Sequence, residues 1–249
     1  QRMAANSRYF TDSASKIPQD VGQGNAAAGM CIDFYGRSYS EELTTADGQR
    51  RVIWIAPQGG TTLSADPIGV LKGAPHADLA QSFVEYCLSP EAQKLWFGKP
   101  GTPNGPKDRA LHRTPIRRDV YTPENLANST MPGVHPYEDP GNFTYQRELT
   151  GASFNTLRQL VKVMCIDSHE EMKSAWLAIR DAGMPADALA VFSDVSIMPY
   201  AKGGKGDPIL DGGDALKAAD HAAEIGEWFR ANYRKAEAMA RSKSTTVSH

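Results

Sequence analysis

Residues 26–37 read AAAGMCIDFYGR, and the fold turns on how that stretch is read. Ala26–Phe34 is a continuous apolar run bounded by glycine-containing turns and a charged end, the pattern of a strand buried on both faces. Upstream, Pro18–Gly24 reads as a helical turn, with Ser15 as its N-cap and Gly24 as its stop, preceded by a short extended stretch at Ser7–Thr11. Downstream, Ser38–Ala46 reads as a short helix. Asp47-Gly48 turns the chain into a second strand, Arg51–Ala56. The cluster Pro57-Gln58-Gly59-Gly60-Thr61-Thr62 breaks the pattern, and Pro67–Leu71 forms a third strand. The strand cores are expected at Ala27–Asp33, Val52–Ile55 and Pro67–Leu71, the last two in different sheets. Ala77–Leu88 then reads as an amphipathic helix with Leu79, Phe83, Tyr86 and Cys87 on one face. Ser89-Pro90-Glu91 supplies an N-cap, an N1 proline and a first-turn acid for the next helix.

Past residue 97 the character changes. Residues 98–108 hold three prolines and three glycines and read as a loop. Residues 121–144, with prolines at 123, 132, 136 and 140, are irregular. From Tyr145 the period is helical, with Phe154, Leu157, Leu160, Val161 and Met164 on one face. Ser168-His169-Glu170-Glu171 reads as a capping box opening a helix that stops at Gly183. A glycine-rich loop, Lys202–Gly213, precedes a long last helix lined by Leu216, Ala219, Ala223, Gly226, Phe229 and Tyr233, and Arg241–His249 reads as a frayed tail. An α/β first half therefore joins a largely helical second half.

The 249 residues carry 27 basic and 29 acidic side chains, a formal charge of −2, with 41% hydrophobic residues. That balance excludes a disordered polyelectrolyte and leaves no whole-chain footprint for nucleic acid. Cys31, Cys87 and Cys165 are too few for a disulfide scaffold and have no CxxC spacing. No apolar run approaches the length of a membrane span. Gln1–Asn6 lacks the apolar core of a signal peptide.

Most local motifs carry bland readings. Gly22-Gln23-Gly24-Asn25-Ala26-Ala27 spells G-x-G-x-x-A, but it ends a helix and enters a strand, the reverse of a dinucleotide fingerprint. Lys202–Asp207 lacks the P-loop spacing. The six histidines are scattered without zinc spacing. Ser168 beside His169 serves better as a helix cap than as a nucleophile. His112-Arg113 with Arg117-Arg118 is a basic cluster on a solvated face. The end of the first strand, Asp33-Phe34-Tyr35-Gly36-Arg37, is more informative. Ligands of open α/β sheets bind at the carboxyl ends of strands. There a carboxylate, a phenol able to ligate a trivalent metal and a guanidinium able to clamp an anion emerge together; the plain alternative is that Phe34 and Tyr35 cap the core.

The run QDVGQGNAAAGMCIDFYGR (19–37), followed by IAPQGGTTLSADPIGVLKGAPHADLAQSFVEYCLSPEAQKLW (55–96), resembles the iron(III)-type periplasmic substrate-binding proteins of ABC importers. The resemblance covers roughly residues 5–120. It implies a type II periplasmic-binding-protein fold of two lobes joined by a crossover and closing on a solute. On that reading residues 1–58 are the remainder of lobe two, residues 59–120 return to lobe one, and residues 121–249 are a mainly helical C-terminal extension. The family's first lobe and much of its second would precede residue 7, so an N-terminal part of the fold is missing and a separate N-terminal half becomes a candidate partner.

The resemblance further implies a periplasmic receptor without bond chemistry, whose leader peptide lies outside the chain and whose closed form is read by an ABC permease. The candidate ligand residues are Tyr35, Asp33 and Arg37, with hydroxyls from Ser13, Ser15, Thr61 and Thr62. The family often places two tyrosines at the strand end; here Phe34-Tyr35 leaves Tyr35 as the phenolate donor if the solute is ferric ion. A phosphorylated or carboxylated organic anion is the other expected solute, and no resident cofactor is expected. The competing classes are a hydrolase of phosphate esters and a helical protein-interaction module.

Overall fold

The computed structural model describes residues 1–138, 143–198 and 206–244. In chain order the helices are α1 (Arg2–Ala5), α2 (Lys16–Gly22), α3 (Asp33–Glu42), α4 (Ala77–Cys87), α5 (Pro90–Leu95), α6 (Pro123–Ala127), α7 (Arg147–Thr150), α8 (Phe154–Val161), α9 (His169–Asp181), α10 (Ala186–Ser193) and α11 (Ala215–Ser244). A 3₁₀ turn covers Arg118–Val120, and a π-helical turn, Lys162–Ile166, continues α8. The chain divides into two compact units, Thr11–Tyr145 on one hand and Gln1–Phe10 with Gln146–His249 on the other.

The helical unit is built on α9, α10 and α11. Met172, Ala175 and Ile179 of α9, Ala188 and Phe192 of α10, and Ile225, Phe229, Tyr233, Ala236 and Ala240 of α11 form its core. The alanines let the helix backbones approach, while the aromatic rings fill the volume between them. Phe192 and Tyr233 lie 5.3 Å apart by centroid, and Phe229 stacks on Tyr233 at 6.2 Å. The Tyr233 hydroxyl donates to the Met164 carbonyl at 3.1 Å, giving the buried phenol an acceptor. The first residues complete this unit: Ala5 is buried in the core, and Gln1 Nε2 donates to the Phe192 carbonyl at 3.0 Å.

Here α9 and α11 match expectation as helices, with corrections in register. Ser168 precedes α9 but makes no cap hydrogen bond; its hydroxyl donates instead to the Val163 carbonyl at 2.7 Å. That carbonyl belongs to the second residue of the π turn, and it gives the buried serine hydroxyl an acceptor. The π turn, closed by Asp167 N–H to Lys162 O at 2.9 Å, adds one residue to the helical repeat and rotates the following face. Val163 and Cys165 within it are buried; Phe154 and Val161 of the expected face, which precede it, are exposed. On α11, Gly226, Phe229 and Tyr233 face inward as expected, but Ala223 and Leu216 are exposed, the latter at 73%, and Ile225 is buried in their stead. The Gly183 stop holds, at φ 74°, where glycine avoids the Cβ clash. The Lys202–Gly213 loop falls outside the described residues at 202–205, as does the tail from 245.

The Thr11–Tyr145 unit departs further from the sequence reading. Its described residues contain two isolated bridges, Thr44 to Arg50 and Gly98 to Ser129, and no strand. Residues 26–32, 51–56 and 61–70 run without ladder partners. The three expected strands are therefore corrected, because an apolar alternation becomes a strand only where another backbone meets its N–H and C=O groups. The period of two does survive at 52–55: Val52 is buried and Trp54 half-buried, while Ile53 and Ile55 are exposed at 63% and 66%. The expected helix at Ser38–Ala46 starts at Asp33 instead, with the acid in its first turn.

The Asp47-Gly48 turn is present, with Thr45 N–H donating to Gln49 O at 2.8 Å. Helix α4 forms as expected yet buries none of its residues, and Leu79, Phe83 and Tyr86 are all more than half exposed. Ser89 caps α5, its hydroxyl accepting from Ala92 N–H at 3.2 Å. A satellite core of Phe97, Val120, Tyr121 and Met131 organises residues 97–134, where α6, capped by the Thr122 hydroxyl, forms within a stretch expected to be irregular.

The register of α11 is tested directly by Phe229→Ala. Removing this fully buried ring should cost about 3–5 kcal/mol in urea unfolding followed by circular dichroism, whereas Leu216→Ala should change stability by less than about 0.5 kcal/mol. Equal effects would place the apolar face elsewhere.

Candidate functional site

The residues that open α3 hold the chemistry singled out by the sequence. Ile32 is extended at φ −67°, ψ 143°, and the helix begins at Asp33, so Asp33, Phe34, Tyr35, Gly36 and Arg37 form its first turn and a quarter. The alternation that would have placed Asp33 and Tyr35 on one strand face is replaced by helical spacing. Asp33 and Arg37 now sit four apart and pair, with Arg37 Nε 3.8 Å from Asp33 Oδ2. Tyr35 is half-buried, and its ring lies 4.1 Å from that of Phe34 by centroid.

Gly36 brings the extended segment to this turn. A Cβ there would meet Trp54 Cε3 at 2.4 Å, so the indole lies directly on the glycine backbone. One turn on, the Arg37 guanidinium lies over the same indole, its Cζ 6.0 Å from the ring centroid. Burial pulls the Arg37 pKa below its ordinary value, against the pull of Asp33. Arg37 Nε and Trp54 Nε1 are both buried without an acceptor among the described residues.

Two further residues, read from sequence as a solvated basic cluster, belong to this turn. His112 is buried, at 5% exposure, with φ 53°, and its Nε2 lies 2.8 Å from Glu41 Oε2 near the end of α3. Burial lowers its pKa and outweighs the pull of Glu41, and Arg37 lowers it further while Glu42 opposes. Arg113 lies over the Phe34 ring at 3.9 Å and pairs with Asp66. Sequence spacing could not have joined these residues, since 70 to 80 positions separate them from α3; the only cue was the adjacency of His112 and Arg113. The assembled cluster sets Arg37 and Arg113 against Asp33, Glu41, Glu42 and Asp66, two cations against four carboxylates.

The candidate hydroxyls make contacts of their own. Ser13 and Ser15 contact each other at 3.4 Å between their oxygens, and Ser15 precedes α2 without capping it. Thr61 is half-buried and Thr62 exposed on an extended segment. None of the described hydrogen bonds links these four residues to Asp33, Tyr35 or Arg37. Among the described residues no group of three or more His, Cys, Asp or Glu is placed to hold a metal ion, and the three cysteines are free thiols. Among them, too, no helix is long and apolar enough to cross a membrane.

The family comparison falls on the same part of the chain. Residues 1–120 match the family of bacterial extracellular solute-binding proteins. A curated relative, the putrescine/agmatine-binding protein of Pseudomonas aeruginosa, is 27% identical over 139 residues. The match covers 53% of this chain and 35% of the relative, so this chain spans about a third of that protein's length. No solved structure matches. Both findings are likenesses to solute-binding proteins, and neither is to an iron-binding one.

The buried histidine makes the α3 cluster acid-sensitive. An unfolded chain protonates His112 near its ordinary value of about 6.5, while the folded chain resists. Its neutral form therefore gives full stability above about pH 6.5, and stability declines as pH falls below that value toward the folded pKa. His112→Asn, which tolerates the positive φ, should flatten that decline in melting scans between pH 7 and 5. An unchanged decline would show that His112 is not held neutral.

Proposed function

We propose that the chain is the ligand-binding portion of a periplasmic receptor that delivers a small solute to an ABC import permease. The match of residues 1–120 to extracellular solute-binding proteins carries this reading. The part of the chain it covers includes the α3 turn with Asp33, Tyr35 and Arg37, and the extended segment with Thr61 and Thr62. Binding would close two lobes, and the closed form would be what the permease recognises. The exposed apolar residues of α4 and of 53–71 fit a lobe whose remaining elements come from sequence outside this chain, which would supply the ladder partners that the extended segments lack.

For the solute, a small amine is the first reading. The relative is named for putrescine and agmatine, and the carboxylate surplus around α3, with Phe34, Tyr35 and Trp54 beside it, suits a cation. A phosphorylated or carboxylated organic anion is the second, favoured by the unpartnered donors of Arg37 and Trp54. Ferric ion draws no support beyond the lone Tyr35 phenol.

Isothermal titration of the protein with agmatine, putrescine, citrate and ferric citrate separates these readings. Agmatine or putrescine should bind saturably without turnover, and Asp33→Asn should weaken that binding by about tenfold, the loss of one charge-assisted contact. Binding of citrate alone, weakened by Arg37→Gln, would replace the amine with the anion. A visible charge-transfer band with ferric ion, lost in Tyr35→Phe, would restore iron. Hydrolysis of a phosphate ester would overturn the receptor itself.

A further inference from the structure

The helical unit carries a second recognition feature that the solute-binding reading leaves unused. Helix α9 presents Lys173, Trp176, Leu177 and Arg180 at spacings of three, four and seven, one continuous stripe of its surface. The N-terminal segment crosses that stripe. It is pinned there by buried Ala5, by His169 Nε2 at 3.2 Å from the Ala4 carbonyl, and by Trp176 Nε1–H donating to Asn6 Oδ1 at 3.2 Å. Between segment and helix lies a cleft of about 400 Å³, lined by Ser7, Arg8, Lys173, Trp176, Leu177 and Arg180, with the backbone of Ala5 and Asn6 behind them.

Three of the lining residues are cations, and no carboxylate lines the cleft. The partners of Lys173 and Arg180 are Glu170 and Asp181, at 3.5 Å and 3.3 Å, whose side chains are 84% and 67% exposed. Pairs that exposed are weakly held and yield to a stronger anion. Trp176 and the 45% exposed Leu177 add an apolar wall. A neighbouring cleft of about 310 Å³ is lined by Asp167, Glu170 and Glu171 together with His169, and these acids pair with Lys162, Lys173 and Arg234, so it offers an anion no comparable set of cations.

We propose that the cleft between residues 5–8 and α9 binds a small phosphomonoester bearing a planar, apolar group. Lys173 and Arg180, released from their exposed partners, match the two charges of a phosphate dianion, and a guanidinium fork suits its oxygens. The ring would lie against Trp176 and Leu177. This site is independent of the solute proposed for the α3 cluster.

Titration calorimetry with adenosine monophosphate as the probe tests it, alongside adenosine and inorganic phosphate. Adenosine monophosphate should bind saturably at one site, weaken as salt rises, and bind at least about tenfold more tightly than either fragment. The exposed double variant Lys173→Gln/Arg180→Gln should weaken it by about tenfold or more, while Lys235→Gln on another face should leave it unchanged. Binding that does not saturate, that survives the double variant, or that phosphate matches alone would overturn the proposal. If the double variant shifts the thermal midpoint, Arg8→Gln in the N-terminal segment gives the same reading without touching α9, and retained affinity there would also count against the site.

Discussion

The indole of Trp54 resting on the backbone of Gly36 is the contact on which the α3 site depends. With no ladder in this unit, the extended segment 51–56 is tied at its start by Arg51 N–H donating to the Leu43 carbonyl at 3.3 Å and beyond that by side-chain packing, which a Cβ at position 36 would push away. That contact places the indole beneath Arg37, and Arg37 in turn bears on both Asp33 and His112. Val52, buried two residues earlier, packs near Leu43 and Gly22 and ties α2 to the same arrangement. A small residue at one helical position thus gathers carboxylates, guanidiniums and aromatic rings from three distant stretches of chain.

Electrostatics would set which solute the proposed α3 site prefers. Two guanidiniums among four carboxylates leave a negative surplus, and the guanidiniums already occupy the faces of Phe34 and Trp54. A cationic solute would have to compete with them for those faces and gain from the surplus; an anionic one would instead need the buried donors of Arg37 and Trp54. In the helical unit the cations of one cleft and the acids of the other meet at the Lys173–Glu170 pair, whose Glu170 is largely exposed.

Helices were more legible than strands, for a physical reason. A helix satisfies its hydrogen bonds within the segment, so the period of Leu79, Phe83 and Tyr86, the Ser89-Pro90 start and the Gly183 stop could be read locally. A strand needs a partner, and the alternation at 52–55 was real while the ladder it implied was not present. Asp33 was misplaced for a related cause: the apolar run hid a helix start whose signal was a first-turn acid. The π turn at 162–166 was invisible because it needs the buried Ser168 hydroxyl to be placed first. Of the site, Asp33, Tyr35 and Arg37 were evident as a chemical cluster. Trp54, His112 and Arg113 were not, since folding rather than spacing brings them there.

The central claim, that the α3 turn with Trp54 and His112 is where this chain meets its solute, is tested most directly by hydrogen–deuterium exchange with and without saturating agmatine. The account predicts slowed exchange at residues 33–42, 52–56 and 111–114, with the helical unit unchanged. Slowing confined to α9 and α11, with none at α3, would contradict it.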